Sequence, residues 1–257
     1  MRTGRSNSGG ADGLTMAALV ASAVALAAFV AVERGPRRRP LLDLSLLRRP
    51  SFAALMVAGL VLTAAAFAHY GYTMLWLQGP LGLSPVRAGL AVLPMAATAF
   101  VVAGASGRLL ARVSPRVSIA AGMLLIGVGL LLQTAIAPGS EWPVLAPGLT
   151  VTGVGVGLAI PVLVSAVLAA VPPERAGMAS GAVNTCRQLG FALGVAVLGT
   201  IFTSAGDGRS PAGFPDGLDA VYLTAGLAAV ATAALVALLV RDPSRPAVPE
   251  RERAAVR

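Results

Sequence analysis

Apolar residues along this chain are gathered into long runs, separated by short stretches rich in Arg, Pro and Gly. A helix needs about 20 apolar residues to cross a bilayer. Seven runs reach that length: 14–32, 51–77, 88–107, 117–137, 145–170, 178–203 and 219–240. Pro and Gly fall inside several of them, as membrane helices tolerate. The pattern predicts an all-α integral membrane protein with about seven transmembrane helices. It also predicts a division of the chain: an external tail over 1–13, a first transmembrane helix over 14–32, a basic cytoplasmic linker over 33–50, six closely spaced helices over 51–240, and a disordered cytoplasmic tail over 241–257.

Composition agrees. The AVILMFWYC group makes up 56% of 257 residues, Gly adds 30 more, and charged residues are only 12%. Soluble chains sit near 45–50% apolar and about 25% charged, so the lipid bilayer is the expected solvent. Net charge is +9, and every cation is Arg, with no Lys. Such a balance could suggest nucleic acid, but the arginines punctuate apolar runs instead of gathering on one face, so no nucleic-acid partner is expected. Absence of Lys excludes a Schiff base. A single Cys (Cys186) and a single His (His69) leave no disulfide framework and few ways to hold a metal, and no cofactor is expected. Paired carboxylates, H-E-x-x-H and G-x-S-x-G are all missing, which argues against an enzyme.

Charge also orients the chain. Of the 20 Arg, 15 fall in one set of alternate loops and four in the other. The positive-inside rule puts the C-terminus in the cytoplasm and the N-terminus outside a cell membrane. Cleavage of the first run as a signal peptide would invert every later span against this rule, so a genuine first helix is expected. Six helices form the half-unit of many transporters, built from two three-helix inverted repeats.

Several positions within the runs carry chemistry or shape. Gly153 and Gly157 precede Pro161 in the fifth run, and Gly181, Gly190 and Gly194 punctuate the sixth; with Pro94 they suggest close packing and bends. Arg187 is the one charge well inside a run, with Asn184 on its face and Gln188 about 100° round the helix. An intramembrane charge faces protein or a wet cavity by default, although this Arg could also snorkel to headgroups. His69, Tyr70 and Trp76 lie towards the outer end of the second run and are cavity candidates; Tyr72 and Trp76 also fit an interfacial aromatic belt. No Asp or Glu is expected inside a span, Asp219 standing at the edge of the last one.

Three segments carry a family resemblance: PPERAGMASGAVNTCRQLGFALGVAVLGTIF (172–202), QGPLGLSPVRAGLAVLPMA (78–96) and PLLDLSLLRRPSF (40–52). They resemble drug:proton antiporters of the major facilitator superfamily, in its 14-helix EmrB/QacA-like branch. The resemblance implies that the chain corresponds to helices 8–14, one linker helix plus the C-terminal six-helix half. GRLLARVSPR (107–116) resembles the superfamily's cytoplasmic loop motif G-x-L-A-D-R-x-G-R-R, with Gly107, Leu109, Arg112 and Arg116 matching and Arg108 between them. Ala111 stands at the motif's Asp, which removes the acid of its charge lock; these Arg also serve as topology and headgroup anchors. Gly181, Gly190, Gly194 and Gly199 match G-x8-G-x3-G-P-x2-G-G, with Val195 at its Pro.

The expected function is therefore the C-terminal portion of a secondary active transporter. It would carry out proton-coupled efflux of small molecules, including cationic amphiphiles, and would need an N-terminal half or a second copy to be competent. The competing expectation is a non-transporting remnant or a membrane interaction module.

Overall fold

The computed structural model describes residues 44–109, 113–134, 136, 139–206 and 213–240, with scattered positions between 13 and 31. The chain divides into two compact units, Met1–Leu44 and Ser45–Arg257. In the first unit the described positions between Gly13 and Ala31 are helical, where the hydropathy pattern predicts the first span. Both tails, Arg112 and most of the basic linker lie outside the described residues.

The second unit is all helix among the described residues. Its α-helices are α1 (Pro50–Phe67), α2 (Tyr70–Gln78), α3 (Pro85–Leu109), α4 (Pro115–Gln133), α5 (Ala146–Ala169), α6 (Ala176–Ala205) and α7 (Gly213–Leu239). With α2 continuing α1 as one span, these make six helices long and apolar enough to cross a membrane. Proline sets several starts. Pro50 and Pro115 occupy the first turns of α1 and α4, where a missing N–H costs nothing. Ser114 caps α4 by accepting a hydrogen bond from the Val117 N–H. Ser114 and Pro115, which stand at the second Gly and the following basic position of the loop motif, are thus a helix-start signal.

The spans pack in a repeating pattern. The second span (α3) packs on the fourth (α5) as the fifth (α6) packs on the first (α1). The third (α4) packs on the fourth as the sixth (α7) packs on the first, and the third meets the sixth. Two repeats of three spans give this arrangement, and an odd number of spans per repeat makes their directions opposite across a membrane.

Apolar surface cannot choose the partners here, because these helices are apolar on most sides and lipid is as apolar as they are. Small residues choose instead. One side of α5 presents Gly148 and Gly155 to α4, while Gly153 and Gly157 meet Met95, Thr98, Ala99 and Val102 of α3. A Cβ at any of them would strike neighbouring backbone. Pro94 and Pro161 lie inside α3 and α5; Thr98 and Ser165 place their hydroxyls on the carbonyls of Pro94 and Pro161, at 2.7 and 3.0 Å.

The last helix departs from expectation. It starts at Gly213, well before 219, because Phe214 packs edge-on against Phe202 of α6 at 4.9 Å and Gly217 sits on the same ring. Hydropathy undervalues the segment GFPDGLD, but tertiary contact makes it helix. Asp219 is therefore one and a half turns inside α7, which corrects the expectation of spans free of acids.

Candidate functional site

Helix α6 carries two different sides. Towards α1 it is tightly packed: a Cβ on Gly190 would collide with the Leu60 carbonyl, and Gly194 sits on Ala64 and Ala68. On the other side Gly177, Gly181, Asn184, Gln188 and Val195 follow at helical spacing and are exposed. Asn184 and Gln188 lie about 12 and 18 Å along the helix from its start, at 1.5 Å per residue. At that depth an amide against hydrocarbon would cost several kcal/mol, on the order of 2–7. This side of α6 therefore meets water or protein, not lipid.

Arg187 is half-buried beside this stripe. Its aliphatic stem lies against Gly59 of α1, and its Nε is buried with no hydrogen-bond partner. The residue thus brings a cation to the margin between the packed side and the open one.

A second group of expected site residues is internal. The α1–α2 break falls at Ala68–His69. His69 is fully buried, its Nδ1 donates to the Ala65 carbonyl at 2.9 Å, and its ring stacks on Tyr70 at 4.9 Å and meets Tyr222 edge-on at 5.5 Å. Tyr70 donates its hydroxyl to the Met95 sulfur at 2.6 Å, and Tyr222 shares a 2.8 Å hydrogen bond with Thr73. Trp76 is only 3% exposed, so neither His69 nor Trp76 lines an open space, and Trp76 is not part of an interfacial belt. Tyr72 instead reaches across to the Val195 carbonyl of α6 at 2.7 Å.

The two groups are not at one level. Gly59 aligns with Arg187, and Ala64 and Ala68 with Gly194, so α1 and α6 run parallel. His69 stands ten residues beyond Gly59, about 15 Å from the Arg187 level. Between them, Leu60, Ala64, Gly190, Leu193, Val197 and Ala225 line an apolar groove of about 190 Å³.

Gly107 and Arg108 belong to the last turn of α3, and Arg116 to the first turn of α4, where it borders a groove against α7. Gly153, Gly157, Gly190 and Gly194 pack as described, but Gly181 does not: a Cβ there meets nothing within 4 Å. Among the described residues no His, Cys, Asp or Glu cluster could hold a metal ion. Sequence reasoning missed Thr73 and Tyr222 and discounted Asp219. The available signal was a Tyr three residues after an Asp, hence on the same helical face, inside an apolar run.

The Major Facilitator Superfamily profile matches residues 8–195 and 106–257. The chain is 36% identical over 209 residues to the probable actinorhodin transporter of Streptomyces coelicolor, covering 77% of this chain and 36% of that protein. It is 36% identical over 193 residues to the multidrug resistance protein Stp of Mycobacterium tuberculosis, covering 74% and 35%. It is 34% identical over 245 residues to the puromycin resistance protein pur8 of Streptomyces alboniger, covering 90% and 48%. The chain thus spans about a third to a half of the length of these relatives. It belongs to the major facilitator superfamily, whose members are membrane transporters, not enzymes.

Proposed function

We propose that this multi-pass member of the major facilitator superfamily is the C-terminal portion of a proton-coupled efflux transporter for small molecules, in the 14-helix branch. In this reading, 14–32 is the linker helix and 51–240 the six-helix half. The N-terminus lies outside and the C-terminus in the cytoplasm. The observation that carries the reading is the open polar stripe of α6. Asn184 and Gln188 are exposed at mid-span, and only water or another bundle can satisfy them there. An N-terminal half facing this stripe would enclose a pathway between the two bundles.

Supporting this, α3 and α6 are the least buried spans, with 17% and 22% of their most apolar stretch inside the unit against 44–61% for the others. They hold α-helical surface that nothing in this unit covers. Arg187 at the margin of the stripe would favour substrates bearing a carbonyl or acidic oxygen within reach of its guanidinium, with amphiphiles taken up by the apolar groove beside it. The relatives' names, an actinorhodin transporter and puromycin and multidrug resistance proteins, support small organic molecules as cargo.

The test is drug accumulation in cells expressing residues 1–257 alone and together with a seven-helix N-terminal half from a relative. Efflux that appears only with the second half, and that collapses with the proton gradient, is the expected result. Robust efflux from the 257 residues alone would point to two copies forming both bundles. No efflux in any pairing would leave a non-transporting membrane module.

A further inference from the structure

One buried polar cluster has no part in the open stripe. His69 fills the α1–α2 break and has no exposed surface. The Ala65 carbonyl can only accept, so the Nδ1 that bonds it carries the hydrogen. The Nε2 of the neutral ring is then a bare lone pair. That atom is buried and meets no donor. A buried acceptor without a donor is costly and calls for an explanation.

On α7, one turn before Tyr222, Asp219 presents the complementary feature. Its Oδ1 is buried and has no hydrogen-bond partner. Tyr222 neighbours both: its ring meets the imidazole in a T-shaped contact, its hydroxyl bonds Thr73, and Asp219 is three residues before it on the same helix. An unsatisfied base and an unsatisfied acid thus both neighbour one phenol, all within membrane-spanning helices.

We propose that His69 and Asp219, both beside Tyr222, form a binding site for a single exchangeable proton. The site deepens the proton-coupled reading above and rests on it. When bound, the proton sits on His69 Nε2 and leaves an imidazolium beside the Asp219 carboxylate. This bound form is neutral overall, and release to water leaves the cluster one unit more negative. The surrounding titratable and charged groups are few. Asp216 is exposed on α7, Tyr70 stacks on the imidazole, and Arg87 is exposed in the first turn of α3. Arg187 of α6 lies about 15 Å away by the helix register, Arg116 is in the first turn of α4, and α5 carries no titratable side chain. None of the cations bonds the buried Asp219 oxygen.

His69 is the only histidine in the chain, so one labelled residue reports on the site. The chain, with ring-15N histidine and reconstituted in lipid bilayers, is titrated from pH 5 to 8 and the imidazole nitrogens are followed by NMR. The wild type is expected to show one pH-dependent step. Asp219→Asn is expected to lose it, and Asp216→Asn, one turn nearer the helix start, to keep it. A ring that does not change across this range overturns the site, as does a step that survives Asp219→Asn. The first of these outcomes needs only the wild type, so a variant that fails to fold does not shield the idea. Gradient-driven efflux from the paired halves with a silent ring would sink this site and spare the transport reading. A titrating ring in paired halves without efflux would do the reverse.

Discussion

Helices α5 and α6 look alike in sequence and behave differently in the fold. Both are rich in Gly, and both are apolar over most of their length. In α5 the glycines are consumed inside the unit: Gly148 and Gly155 admit α4, and Gly153 and Gly157 admit α3. In α6, Gly190 and Gly194 meet α1 and Gly199 meets the Tyr72 hydroxyl, while Gly177 and Gly181 have nothing near them. What separates the two is company. Thr152 and Thr150 accompany the α5 glycines and bond within the bundle, as Thr98 does with the Thr150 carbonyl at 3.2 Å. The open α6 glycines are accompanied by Asn184 and Gln188, which are left exposed. A glycine stripe in a membrane helix therefore reports that a backbone can come close; the polar residues beside it tell whether that backbone is present.

The contrast can be broken by overpacking each stripe in turn. Gly153→Leu forces a large side chain onto the Met95 backbone and should have the greatest effect, a loss of about 3 kcal/mol, read as a lowered unfolding temperature and fewer monodisperse particles in detergent. A melt like that of the wild type would mean that α3 and α5 are not in close contact there. Gly194→Val, on the packed side of α6, meets Ala64 and Ala68 and should cost somewhat less, about 2 kcal/mol. The sharpest arm is the smallest in stability. Gly181→Val should stay within about 0.5 kcal/mol of wild type, yet lower efflux when an N-terminal half is supplied. If Gly181→Val instead melts as early as Gly194→Val, the open side of α6 is covered from within this unit and the difference between the two helices disappears.

Much of the fold was legible. Runs of 20 apolar residues mark spans because bilayer thickness and helix rise leave few other lengths, and the observed spans sit within a few residues of the hydropathy runs at most ends. The exception is instructive. GFPDGLD reads as loop because Gly, Pro and Asp are poor helix formers and poorly apolar, yet Phe214 and Gly217 dock on Phe202 and draw the helix back to Gly213. With it comes Asp219, a residue whose place in a span no hydropathy window would assign. Among site candidates, Arg187, Asn184 and Gln188 were legible as polar residues too deep for lipid. The role of His69 was not. A lone His in an apolar run can line a cavity or sit in the core, and only the Ala65 carbonyl, the Tyr70 stack and Tyr222 decide between them.

Sequence by itself determined that this is a helical membrane protein, how many apolar runs it has, and the family resemblance that comparison with relatives upheld at the level of the superfamily. Those follow from local quantities: transfer energy, helix rise and short motifs. Tertiary structure decided which glycines meet a backbone, which polar atoms are left without partners, and that His69, Thr73 and Tyr222 form one cluster although its members come from opposite ends of the six-helix unit. The reason is physical. Within lipid the hydrophobic effect does not select among apolar faces, so partners are chosen by close shape contact, and that is a property of pairs of helices that neither sequence segment carries alone.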